Sequence, residues 1–527
     1  MNRILPMLWV FSIGAVLMIA ARRSRMSVSI RPVLTYKTLG MFLVILLPLV
    51  VRVVSLQPDR IHGDDLLTAT FSQEFRPRTA NFFAGVPQGE IWVAKFPAPY
   101  FLFQKLFLRV AGASVLTVKL SVLPYIFITS LMTYLITSRV MGRFAGIIAV
   151  VLYAFMPISL YLETLGLHFI SSTAVFMIFF YLLLRTMKSN SPIWFASTGV
   201  ACAACYLFYT SSYIAFPLLL LVLVAHAVKQ HAIKPLAWAL IGFTVTIAPF
   251  AIYAGTVENY FVGRMNQVSL LNGSWSAQKE LSKTHPGAFR ALGENIQLSL
   301  RSMVIDGIGG HGGYTFNRQA MFHPAGLIVF LVGSGVSLLL VWRKRALFLI
   351  LLVIILSYCT GVALTIPPPA YHRFSLAFPF IAIVSSVPFM YVAQWFRWRT
   401  AILVVAAILA VYTGTGIRYF QRSVASEATI ADASVIRYVN ATFPGRAVHI
   451  AAFPTFALGV LYPFFLPTTA TSIDTQYHNA YLSNFNTRER YVYIITLASE
   501  FKEKFIAADP AATYIPFSEK YSLLVNE

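Results

Sequence analysis

The chain has 527 residues, 58% hydrophobic and only 11% charged, with a mean hydropathy of +0.71. A water-soluble chain of this length carries about 25% charged residues, so the composition excludes a soluble globular protein. The net charge is +22, yet the basic residues gather into no groove or arm. They fall at the ends of apolar runs, which excludes nucleic acid as the partner and points to topology and to anionic headgroups or phosphates.

Apolar runs of about 17–22 residues, each long enough for a hydrocarbon core of about 30 Å, occur at 4–21, 37–56, 115–136, 144–161, 167–184, 193–209, 211–228, 235–254, 321–341, 346–365, 374–393 and 400–417. The expected fold is therefore a polytopic α-helical membrane protein of about twelve spans. In the first run the positive charge follows the apolar stretch and no small-residue cleavage site stands out, so residues 1–36 read as a retained helix and a basic cytoplasmic linker. One set of connections carries Arg22, Arg23, Arg25, Arg31 and Lys37, then Arg139 and Arg143, Arg185 and Lys188, Lys229 and Lys234, Arg343 to Arg345, and Arg397 and Arg399. None of them contains Asp or Glu, and the alternate short connections hold almost no Lys or Arg besides Arg373. The positive-inside rule makes the first set cytoplasmic. Cys202 and Cys205 are spaced as a redox pair but lie in an apolar run, where small helix-packing residues are the expected reading.

Three pieces are left outside the membrane core, all on the outer face. Loop 57–112 contains an aromatic, basic stretch, 98–110, suited to a helix lying in the headgroup plane. Loop 255–320 is polar and rich in glycine near its end. Residues 419–527 have ordinary polar composition, with Ala433, Ile436, Val439 and Phe443 at helical spacing and strand-like runs at 446–453, 491–497 and 513–516, so a small α/β domain is expected. The domain plan is then 1–36, a transmembrane unit 37–418, and 419–527.

Acidic residues are scarce, 19 in all, and Asp64-Asp65 stands just beyond the outer end of a span. A carboxylate there can act as a base, its proton affinity tuned by burial and by its neighbour's like charge. A helix N-cap before Leu66 is the competing use of an aspartate. If the leaving group were a lipid-linked phosphate it would depart as an anion and need waiting cations; Lys95, His372 and Arg373 lie on the outer face to supply them. Arg373 breaks the charge rule of its own short connection, and its planar fork matches a phosphate, the alternative being a side chain that snorkels to the interface. His62, Glu90, Glu163 and Tyr100 are candidates for supporting the base or meeting an acceptor. The histidines show no metal-ligand spacing, so no cofactor is expected, and a divalent ion would be an addition that a single phosphate does not demand.

In order and spacing, residues 37–420 resemble the GT-C superfamily of polyprenyl-phosphate-sugar-dependent glycosyltransferases, most of all the bacterial relatives of protein O-mannosyltransferases and lipid A aminoarabinose transferases. The likeness rests on Asp64-Asp65 opening the first outer loop, on Lys95-Phe96-Pro97-Ala98-Pro99-Tyr100, on Val110-Ala111-Gly112 with Lys119 opening the next span, on Asn317 to Pro324 leading into a span closed by Arg343-Lys344-Arg345, and on Pro367 to Arg373. Two positions depart from the aminoarabinose branch: Leu67 stands where an Arg is frequent, and Ala94 where a Glu precedes the Lys. The resemblance implies an enzyme of a bacterial plasma membrane that takes a sugar from a polyprenyl-phosphate carrier to a glycolipid, polysaccharide or protein hydroxyl outside the cell, with Asp64 as base. The competing classes are a non-catalytic subunit that binds the lipid carrier and a secondary transporter, whose ionisable residues would lie near the midplane and whose halves would repeat.

Overall fold

Backbone polar groups in hydrocarbon must find partners within the chain, so apolar runs of this length fold as helices. The structure is a computed structural model that describes residues 4–24, 36–57, 60–75, 83, 96–230, 234–256, 269–270, 288–306, 319–365, 371–425, 430–432, 434–451, 473–475, 489–496, 499–518 and 521–526. Its elements run α1 (Ile4–Arg23), α2 (Tyr36–Ser55), β1 (Arg60–His62), α3 (Gly63–Glu74), α4 (Pro99–Ala111), α5 (Val115–Leu120), α6 (Leu123–Met141), α7 (Arg143–Ala154), α8 (Pro157–Glu163), α9 (Phe169–Thr186), α10 (Pro192–Ala204), α11 (Ala215–Gln230), α12 (Lys234–Gly255), α13 (Ala288–Val304), α14 (Pro324–Leu340), α15 (Arg345–Tyr358), α16 (Tyr371–Phe374), α17 (Phe378–Trp395) and α18 (Trp398–Ala425).

Among the described residues, eight helical stretches are long and apolar enough to cross a membrane, α7 with α8 forms a ninth bent by 64°, and Leu39–Ser55, Pro192–Leu207 and Pro324–Leu340 are shorter apolar helices. These coincide with the twelve positions expected from hydropathy. The chain is an integral membrane protein. The aromatic stretch 98–110 is helical, as α4.

Regular helix gives way mainly at the end of the bundle that holds the acidic pair. There α7 bends into α8 at Met156-Pro157, where a proline disfavours helical backbone at the preceding residue, and Met156 is extended at φ −71° and ψ 113°. The bend releases carbonyls, and the wholly buried Arg52 of α2 takes them: Nη1 donates to Ala154 O at 2.6 Å and Nη2 to Tyr153 O at 3.2 Å. Its charge is met by Glu163 at the end of α8, with Nη2 2.6 Å from Oε2, while the Tyr153 hydroxyl donates to the other carboxylate oxygen. The guanidinium also lies 5.0 Å from the centre of the Tyr153 ring, and from α18 the Tyr412 hydroxyl donates to Leu152 O at 3.0 Å.

After α18 come β2 (Ile430–Asp432), α19 (Ser434–Thr442), β3 (Ala447–Ala451), β4 (Ile473–Thr475), β5 (Tyr491–Thr496), α20 (Ser499–Ala508), β6 (Thr513–Pro516) and β7 (Tyr521–Val525). The expected α/β domain is a five-stranded sheet in the order β4-β3-β5-β7-β6, with β3 parallel to β4 and β5 and the β5–β7–β6 pairs antiparallel. Alternate residues face opposite sides: Tyr491, Tyr493 and Ile495 pack with Phe505 of α20, and Val492 and Ile494 pack with Val435 and Ile436 of α19. Leu66 and Ala69 of α3, Leu108 of α4 and Val115 and Val118 of α5 belong to that second cluster. In addition, β2 pairs antiparallel with β1, His62 opposite Ile430. The domain and the helix with the acidic pair thus share one apolar core and one strand pair.

Removing one partner of a buried ion pair leaves the other charge stranded, at about 3–5 kcal/mol. Arg52→Met is therefore expected to lower the thermal unfolding midpoint in detergent sharply, and adding Glu163→Leu to recover part of the loss. A double variant no more stable than the single one would show that stranded charge is not the cause.

Candidate active site

The acidic pair sits in the first turn of α3, and neither aspartate caps it, contrary to the N-cap reading of the sequence. His62 does: held extended at φ −75° and ψ 145°, it accepts the Asp64 N–H on Nδ1 at 3.1 Å. Pairing of β1 with β2 keeps His62 in that conformation, and both carboxylates then lie where the helix dipole favours negative charge. At the other end, Lys105 of α4 donates Nζ to Gln73 O at 2.8 Å and Phe75 O at 2.6 Å, closing the orphan carbonyls of α3.

The two aspartates differ in surroundings. Asp64 is half-buried, whereas Asp65 has no exposed surface and neither of its oxygens accepts a hydrogen bond from a described residue. Burial pushes the Asp65 carboxyl up to about 6, against the pull of His62 and Lys119; the Asp64 charge raises it further and the nearby Gly166 amide lowers it without closing a full hydrogen bond. Lys119, buried on α5, donates Nζ to Gln57 O at 3.0 Å. Gly166 is required by close approach: a Cβ there would lie 2.4 Å from Val118 Cγ1 and 2.9 Å from Val118 O.

A buried hydrogen-bond network braces this layer. Ser72 of α3 donates to Gln104 Oε1 at 2.7 Å; Gln104 Nε2 donates to the Tyr100 hydroxyl at 3.0 Å and to Ser121 Oγ at 3.2 Å; Tyr100 donates to Gly166 O at 2.6 Å. Tyr100 therefore supports the acidic helix from behind, and burial holds its phenol well above the ordinary range. The His168 ring lies 4.6 Å from Phe96, 6.1 Å from Tyr100 and 5.1 Å from Tyr209, and the His372 ring lies 6.4 Å from Tyr209 and 5.9 Å from Phe169. One aromatic layer so runs from Tyr100, which braces α3, to the His372-Arg373 turn. Arg373 is buried in α16 rather than snorkelling to an interface.

Glu163 departs from its expected part in meeting an acceptor, since Arg52 and Tyr153 occupy its oxygens in the core. Lys95, Glu90 and Pro367 to Pro369 lie outside the described residues. Among the described residues no three His, Cys, Asp or Glu side chains converge as a metal site would need. Two buried cations, Arg52 and Lys119, went unassigned in the site reading of the sequence. Each stands at the acidic end of a span, where the charge rule expects none, the same signal that marked Arg373.

No protein-family profile and no curated protein matches the sequence. Among solved structures, ArnT from Cupriavidus metallidurans bound to undecaprenyl phosphate superposes with a TM-score of 0.54 at 12% identity, over 93% of this chain and 98% of that one. Archaeal oligosaccharyltransferase AglB from Archaeoglobus fulgidus, in complex with an inhibitory peptide and a dolichol-phosphate, gives 0.50 at 13% identity, over 93% of this chain and 74% of that one. Both are GT-C glycosyltransferases. This chain has the GT-C fold.

Because the folded Asp65 carboxyl titrates near 6 and an unfolded aspartate near ~4, the folded state holds a proton between those pH values that the unfolded chain has lost. Stability from this group falls as pH rises through that window and stays lower by about 3 kcal/mol above it. Asp65→Asn is expected to raise the unfolding midpoint at pH 7.5 and to leave it unchanged at pH 4. A shift of equal size at both would sink this account.

Proposed function

We propose that this protein transfers a sugar from a polyprenyl-phosphate carrier to an acceptor hydroxyl at the face of the membrane that holds the acidic pair. The observation that carries the reading is the half-buried Asp64 beside the wholly buried Asp65 at the start of α3, on a GT-C fold. Asp65, buried in the same turn under the charges of His62 and Lys119, sets the electrostatic surroundings of Asp64, and His62 capping the Asp64 N–H sets the start of the helix that carries it. Asp64 takes the acceptor proton; the acceptor oxygen forms a bond to the anomeric carbon as the bond from that carbon to the phosphate oxygen breaks, and the electron pair leaves with the phosphate. A single displacement inverts the anomeric configuration, by the geometric logic that governs glycoside hydrolysis.

Arg373, with His372 beside it and Lys95 on the first outer loop, would receive the departing phosphate, whose negative charge needs no proton if cations are in place. The carriers named with the two neighbours, undecaprenyl phosphate on ArnT and a dolichol phosphate on AglB, support the class of donor. The gathering of Lys and Arg on one set of short connections supports a cytoplasmic placement of those connections and an outward placement of the site. A bacterial plasma membrane and a glycolipid, polysaccharide or protein acceptor complete the reading.

Purified protein and its Asp64→Asn variant would be incubated with extracted polyprenyl-phosphate sugars and a crude envelope fraction, following labelled sugar. General-base catalysis contributes about 10²–10⁴-fold, so the variant is expected to fold and bind donor yet lose transfer by at least that factor, with inverted product from the unmutated protein. Transfer retained in the variant overturns Asp64 as base; donor bound but never transferred by the unmutated protein points to a carrier-binding subunit instead.

A further inference from the structure

The span that precedes Arg373 does not end as a regular helix. Beyond Tyr358, α15 widens into a π turn over Cys359–Ala363. A helix end leaves carbonyls without donors, and near hydrocarbon water does not supply them. The second outer loop does so for Ala363, Leu364 and Thr365, and adds a donor to Val362 O, which already accepts the Thr365 N–H at 3.3 Å. Asn295, with no exposed surface on α13, points Nδ2 at Val362 O, Ala363 O and Thr365 O, at 3.2, 2.6 and 3.1 Å, and the Leu270 N–H takes Leu364 O at 2.9 Å.

The far half of the same helix grips the chain where it re-enters the bundle. The Tyr371 hydroxyl donates to Ser302 O at 2.8 Å and lies 2.7 Å from the Ser302 hydroxyl. One helix therefore anchors both ends of connection 366–370, which leads directly into His372 and Arg373. The coupling to Arg373 is also direct. A Cβ on Gly361, inside the π turn, would lie 2.6 Å from Arg373 O and 3.4 Å from Arg373 Cβ, so the turn and the Arg373 backbone are in contact and one cannot shift without the other.

From this geometry we infer that Asn295 is a positioning residue, which through the π turn, together with the Ser302–Tyr371 contact, sets the place of Arg373 and so the affinity for the carrier's phosphate. The inference rests on the reading of Arg373 as a phosphate holder. Its chemistry is specific: the position needs an N–H donor facing carbonyls, and an isosteric carboxylate would repel them.

The test measures the Kd for undecaprenyl phosphate, with the full-length protein in nanodiscs, for Arg373→Ala, Asn295→Ala, Asn295→Asp and Tyr371→Phe, alongside kcat and donor KM. Misplacement of a contact from a distance costs up to about 10²-fold. The expected result is a Kd raised about tenfold by Asn295→Ala and further by Asn295→Asp, with donor KM rising more than kcat falls. A residue that only filled space would tolerate the isosteric aspartate. If Arg373→Ala weakens binding while both Asn295 variants bind like the unmutated protein, the inference is overturned and the phosphate reading stands. If Arg373→Ala leaves binding unchanged, the phosphate reading fails and this inference with it. Should the Asn295 variants not fold, Tyr371→Phe, which removes a single hydroxyl, decides: a raised Kd supports the positioning of Arg373 from α13 and an unchanged one overturns it.

Discussion

A carbonyl that leaves its helix inside or beside a bilayer must be met by another part of the chain, because neither lipid nor scarce water will satisfy it. This protein breaks its helices near the acidic pair and meets the breaks with side chains from elsewhere in the sequence. Arg52 takes the carbonyls freed at the bend between α7 and α8, Asn295 those at the end of α15, and Lys105 those at the end of α3. Each capping group ties its own helix to the one it completes. The irregular end of the bundle is consequently held together by side chains, where the spans themselves are held by close-packed apolar surfaces.

That arrangement suits a site. A regular bundle offers only the surface of its helices, whereas broken ends expose loops and short helices that can be aimed. The acidic helix α3 is aimed from several directions: by His62 at its start, Lys105 at its end, the Ser72–Gln104–Tyr100 network along its length, and the apolar core it shares with the terminal domain. The terminal domain is thereby part of the site's construction, since β2 holds the strand that carries His62. Burial of Asp65 comes at an electrostatic cost, a carboxylate sealed from water, which His62 and Lys119 only partly offset.

The Arg52–Glu163 pair applies the same economy of charge within the core. Glu163 is the only acidic residue between 91 and 257 in the sequence, and its oxygens are committed to an arginine and a tyrosine from two other helices. A buried arginine that both caps a bend and neutralises a carboxylate leaves neither charge nor carbonyl exposed to lipid.

Much of this was open to reading from the sequence. The twelve apolar positions, the helix at 98–110 and the terminal strands follow from rules that act over short stretches: bilayer thickness fixes run length, and sheet geometry fixes an alternation of two. Asp64 and Asp65 stood out because acids are rare here. What local pattern did not contain was the choice of partner. A helix cap was the competing use of Asp64 or Asp65, and only β2, far along the chain (His62 against Ile430), holds His62 in the capping conformation instead. Glu163 looked available until Arg52, on another helix, was brought against it. Asn295 is one polar residue among many in an outer loop until α15 ends beside it. The sequence by itself determined where the chain crosses the membrane and which residues are chemically unusual; the tertiary structure decided which of them are committed to holding the helices and which are left to act, because partners are set by where helices bend and meet.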